Sequence, residues 1–181
     1  MKGLFSKLFK KSEPIEPQKK IIFNVDSNHT PEKFQHFKDE LISFLTDNLL
    51  KLDALENEIF QRHEVLKSQR SSPNQSHPDE ESLWDDYFER CKAIINPISV
   101  SNSNEISRSF GNPSQYHYLL RPNTKMFFIM KSDNRAVIET HFEVGVQKKE
   151  QFVIKKIDEI WKIEGKKYNF PDETTWYKDE L

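Results

Sequence analysis

The hydrophobic period of this chain changes once along its length, and that change limits its architecture more than any other feature. Phe34, Phe37, Leu41, Leu45, Leu49, Leu52, Leu55, Ile59 and Leu66 recur at spacings of three, four and seven, which places them on one helical face. Beyond residue 125 the repeat becomes two. Ala136, Ile138, Thr140 and Phe142 alternate with Val137, Glu139, His141 and Glu143, and Trp161 and Ile163 alternate with Lys162 and Glu164. Helices first and strands later predict an α+β fold in which N-terminal helices pack on one face of a curved antiparallel sheet.

Local signals divide this plan into elements. A domain spanning 21–181 opens with a strand-like run from Ile21 to Val25. Thr30 is placed to cap a helix whose first residue is Pro31, because proline lacks only an N–H that would be unpaired there. A single helix from there to Gln69 would be about 58 Å long and would overhang a domain of this size, so a break is expected between Asp47 and Asp53. Residues 70–80 are polar, contain Pro73 and Pro78, and read as a mobile loop. A further helix from Asp79 to Ile95 should bury Trp84, Tyr87, Phe88, Cys91 and Ile95 and stop at Asn96-Pro97. Hairpin turns are expected at Ser132-Asp133-Asn134 and at Asp158-Glu159.

The first 20 residues differ from the rest. They hold six lysines against Glu13 and Glu16, a surplus of four positive charges in a chain whose net charge is −2. Leu4, Phe5, Leu8 and Phe9 would share one side of a short helix, after which Pro14 and Pro17 impose an extended linker. Helices this short are marginal in water, so the segment reads as a frayed tail, the alternative being weak contact with a membrane surface through those four side chains. Lys7, Lys10 and Lys11 interrupt the apolar stretch that a secretory signal requires, and the single cysteine, Cys91, fits a reducing compartment. A cytoplasmic protein is expected. The terminal Lys178-Asp179-Glu180-Leu181 matches a retention address that is read only in the secretory route, and we take the match as coincidence.

Few residues suggest chemistry. Glu139, His141 and Glu143 share a strand face, where a carboxylate could orient an imidazole as a general base, although half-exposed strands carry polar alternation by default. The six histidines form no His-x-x-x-His and no cysteine pair accompanies them, so no metal is expected. With four glycines there is no phosphate-cradling loop, and no cofactor is expected. Cys91 on an inner helix face reads as a packing residue. Nucleic acid is not expected as a partner: residues 79–89 hold six acidic side chains and no basic one, which suits a solvated helix flank or contact with a basic protein surface instead.

From about Ser82 onward, a series of motifs occurs in an informative order. These are the acidic-aromatic helix with Trp84, Tyr87 and Phe88, the run Arg108-Ser-Phe-Gly-Asn-Pro-Ser-Gln-Tyr116, the strand Val137-Ile-Glu-Thr140, and Trp161-Lys-Ile-Glu-Gly-Lys-Lys-Tyr168 followed by Trp176-Tyr177-Lys178. In this the chain resembles the immunity proteins of bacterial polymorphic toxin systems that have a nuclear-transport-factor-2-like fold. The resemblance implies a cone of nuclear-transport-factor-2-like or cystatin-like shape and a cytoplasmic, non-catalytic protein that binds and neutralises a cognate toxin. Arg108, Phe110, Tyr116 and His117, in the segment leading into the sheet, are the candidate partner contacts. Trp161, Tyr168 and Trp176 are expected in the core. The competing expectation is a small-ligand-binding protein or enzyme of the same fold, with Glu139 and His141 lining the cavity of the cone.

Overall fold

A computed structural model describes residues 23–100, 116–179 and 181. The heptad-like apolar stripe forms one uninterrupted helix, α1 (Lys38–Ser68), of 31 residues, about 46 Å long at 1.5 Å per residue. The expected break between Asp47 and Asp53 does not occur. Leu45, Leu49, Leu52 and Leu55 stay buried straight through it. The far half of α1 does not overhang, because α2 (Glu80–Ile98) runs antiparallel along it. Arg90 donates to Glu58 through both terminal nitrogens at 2.7 and 2.6 Å, and Arg62 donates to Asp86 at 2.6 Å. The Arg90 guanidinium holds the Glu58 carboxyl down at about 2.

The connection between the helices is tied at both ends. Arg70 donates to both carboxylate oxygens of buried Glu80 at 2.6 and 2.7 Å, and the His77 backbone N–H reaches the same side chain at 2.9 Å. In α2 the buried positions are Leu83, Tyr87, Cys91, Ile95 and Ile98, whereas Trp84 and Phe88 are half-buried. Burial pushes the Cys91 thiol up, away from a reactive thiolate. Pro97 lies inside the last turn instead of ending the helix. The bond it cannot make falls on the carbonyl of exposed Ala93, which water can satisfy.

The sheet has six strands in sequence order: β1 (Val25–Asp26), β2 (Lys125–Ser132), β3 (Arg135–Val144), β4 (Val146–Ile157), β5 (Ile160–Asn169) and β6 (Tyr177–Asp179). All neighbours are antiparallel except β1 and β2. The two expected hairpins form. At the β4–β5 turn Asp158 and Glu159 both adopt positive φ, 49° and 63°, the geometry a two-residue turn needs to match strand twist. A third hairpin, unmarked in sequence except by Gly145 at φ +74°, joins β3 to β4.

Both margins of the sheet are occupied. On β2, the Met126 N–H donates to the Asn24 carbonyl, and buried Thr30 bridges further along. Its hydroxyl donates to the Phe128 carbonyl at 2.7 Å and accepts from the Met130 N–H at 3.0 Å. Thr30 therefore caps a strand edge and not a helix; the chain enters α1 through a 3-10 turn, Glu32–Phe37. On β5, Val100 N–H bonds to the Ile163 carbonyl and β6 pairs with Lys166–Tyr168. Lys178 and Asp179 are thus part of the sheet.

Met126, Phe128, Met130, Ala136, Ile138, Phe152, Ile154, Trp161 and Ile163 face the helices and form one apolar cluster with them. Trp161 belongs to the core as expected, while Tyr168 and Trp176 are only half-buried. A short 3-10 turn, His117–Leu120, inserts Tyr116, Tyr118 and Leu119 into the interior. Tyr118 stacks on Phe142 at 3.6 Å between ring centres and donates its hydroxyl to Glu150 at 2.8 Å. Burial pushes both tyrosine hydroxyls up. Beside them Lys166, 2 % exposed, is paired with Asp179 at 2.9 Å and Glu150 at 3.5 Å. These side chains fill the space in which a cone cavity was expected.

Candidate functional site

The sheet has a second face, and no helix among the described residues lies on it. Strand alternation decides what it shows. Since Ala136, Ile138 and Thr140 point to the helices, Val137, Glu139 and His141 point away, and the register extends this set across β2 to β5 in four rows. Lys125, His141 and Lys149 form the first row; Phe127, Glu139, Gln151 and Lys167 the second. Ile129, Val137, Val153 and Gly165 form the third, and Arg135, Lys155 and Lys162 the fourth.

The face thus carries an apolar third row, joined by Phe127 of the mixed second row, between basic end rows about 20 Å apart along the strands at ~3.3 Å per residue. Phe127, Ile129 and Val137 are half-buried and Val153 is 8 % exposed. Six basic side chains in these rows stand against Glu139 and, at the margins, Glu143 and Glu164. Glu164 is engaged by Arg135 at 2.6 Å and Lys155 at 3.5 Å, leaving Lys162 in that row. At Gly165 an added Cβ would meet nothing within 4 Å, so the apolar row ends over bare, open backbone.

Glu139 lies in the second row and His141 in the first, between Lys125 and Lys149. The imidazole Nε2 lies 2.5 Å from Glu139 Oε1, Gln151 donates to the other carboxylate oxygen at 3.4 Å, and the imidazole packs against Phe127 at 4.6 Å between ring centres. The pair expected to line a cavity therefore lies on the opposite side of the sheet from the helices, one strand-residue out of phase with the interior. Two shallow cavities, about 410 and 430 Å³, lie elsewhere, one lined by Arg62, Val65, Leu66 and Leu83 and the other by His77, Glu81 and Trp84 among others.

Of the expected partner contacts, Arg108 and Phe110 lie outside the described residues. Tyr116 is 1 % exposed and serves the interior, so it is not a surface contact. His117 is exposed and lies 3.8 Å from Asp53, which accepts backbone N–H bonds from Tyr116 and His117. Burial raises the Asp53 carboxyl despite those donors. The tail residues Leu4, Phe5, Leu8 and Phe9 also lie outside the described part.

The basic rows and the apolar stripe were not singled out from sequence. A signal was present. Met126-Phe-Phe-Ile-Met130 is apolar at both parities, which marks a strand needing cover on both faces. Among the described residues no helix is long and apolar enough to cross a membrane, and no three His, Cys, Asp or Glu side chains are grouped to hold a metal ion. Compared with protein-family models, curated proteins and solved structures, the chain matches none.

Proposed function

We propose that this protein is a non-catalytic cytoplasmic binding protein of nuclear-transport-factor-2-like fold that neutralises a cognate toxin domain by covering it. The observation that carries this reading is the uncovered sheet face with its apolar row between cationic ends. Contiguous apolar surface rimmed by charge is the ordinary anatomy of a protein interface. The occupied sheet margins add to it, because they direct a partner to the face and away from strand addition. The order of motifs from Trp84 to Lys178 supplies the toxin-immunity role.

Co-expression tests this. The full chain should rescue cells poisoned by the toxin domain encoded beside its gene and should not rescue them from unrelated toxins; failure to rescue from any neighbouring toxin removes the reading. A second reading rests on the short Glu139–His141 contact, which is the geometry of an oriented acid/base pair in a small-ligand protein or enzyme. Turnover of a small molecule that is lost when both are replaced by alanine would establish the second reading, whereas rescue by a protein that turns over no small molecule supports the first.

A further inference from the structure

Resting on that reading, we infer that the occupant of the open sheet face is an acidic protein surface that presents one apolar side chain between two groups of carboxylates. The rows dictate this arrangement. Cations at Lys125 and Lys149 mark one end, Lys162 with the shared Arg135–Glu164–Lys155 cluster marks the other, and the stripe Ile129–Val137–Val153 leads between them to the open backbone at Gly165. An apolar side chain can approach the bare backbone at Gly165, with carboxylates about 7 Å away on one side and about 13 Å on the other reaching the two basic ends.

The same rows disfavour the other occupants. A second copy laid face to face in two-fold symmetry would bring lysine rows onto lysine rows. A nucleic-acid strand crossing from one basic end to the other would pass over Glu139, and the four rows offer it two rings for stacking, Phe127 and His141, beside an aliphatic stripe. The helical layer cannot compete for an acidic partner: α1 and α2 together hold twelve acidic and six basic side chains, whereas β2 to β5 hold ten basic and four acidic.

The test titrates the full-length protein with the neighbouring toxin domain by calorimetry, at two salt concentrations. The Lys125→Glu/Lys149→Glu variant should weaken binding at least about tenfold, and the wild-type affinity should fall as salt rises. Gly165→Leu, which adds bulk into open space and leaves the charge unchanged, should weaken it by a similar factor. Glu81→Lys on α2 should change it less than about twofold. Unaltered thermal midpoints establish that each variant is folded. If the sheet variants bind like wild type while Glu81→Lys fails, neutralisation stands and this inference falls. If wild type does not bind the toxin, the toxin reading itself falls. Concentration-dependent dimerisation, or binding to a ten-residue oligothymidine or to phosphatidylglycerol vesicles, that the Lys125→Glu/Lys149→Glu variant abolishes would assign the face to that occupant and overturn the inference.

Discussion

Phe127 and Phe128 are chain neighbours in β2, yet one is half-buried beside a half-buried imidazole on the open face and the other is completely buried against two helices. The contrast runs through the whole sheet. On the inner side, apolar side chains close the core, and the buried charges, Glu150 and Lys166, are paired. On the outer side, exposed and half-buried lysines flank an apolar row. The difference teaches that the same four strands carry the core on one set of alternate residues and an uncovered surface on the other. Substitutions can therefore address one without the other.

The sharpest way to break that separation is the neighbouring pair itself. Phe128→Ala should cost about 3–5 kcal/mol in urea unfolding, while Phe127→Ala should cost less than about 1 kcal/mol. Equal losses would show that the outer face is also core. Next in size is Glu150→Gln, which leaves Lys166 short of a buried counter-charge and should cost about 3 kcal/mol. Adding Lys166→Met should restore most of that loss, whereas Lys149→Gln on the outer face should change unfolding by no more than ~0.5 kcal/mol.

A smaller effect tests the helical layer by pH. The carboxyls of Glu80 and Glu58 are held at about 2 by Arg70 and Arg90, below the ordinary 4.5. Their contribution is fully present above the ordinary value and is lost as pH falls through 2. Unfolding free energy should thus be flat near neutrality and decline between pH 4.5 and 2. Glu80→Gln should cost roughly 1.5–3 kcal/mol at pH 7 and flatten that decline. Removing Lys125 and Lys149 should leave the shape of the curve unchanged. Smallest is the β4–β5 turn, where Asp158→Asn with Glu159→Gly relieves two positive φ values and should stabilise by about 0.5–1 kcal/mol.

The elements were legible where one physical term dominated. Alternation from Ala136 to Phe142 and the Asp158-Glu159 turn specified two hairpins, and the helical repeat specified α1. Its supposed break was misplaced because chain length was weighed without the second helix that supports residues 53–68, a tertiary term absent from local pattern. Lys166 shows a different limit. Strict alternation after Ile163 sends it outward with Lys162 and Glu164, but the irregularity opposite Val153 and Ile154 inserts one residue and turns Lys166 inward. Its counter-charge, Asp179, lies on a strand of three residues, too short to carry a period. The candidate face was half legible: Glu139 and His141 were found, but their side of the sheet depends on register, and the basic rows exist only once four strands are aligned.

The occupied sheet margins carry one more consequence. Thr30 and Asn24 on one side, Val100 and β6 on the other, use up hydrogen-bonding groups that a free strand would otherwise offer to a neighbouring molecule. Such a sheet makes a poor seed for fibril growth. The outward residues of β2 to β5 can then change in sequence with little hazard of polymerisation.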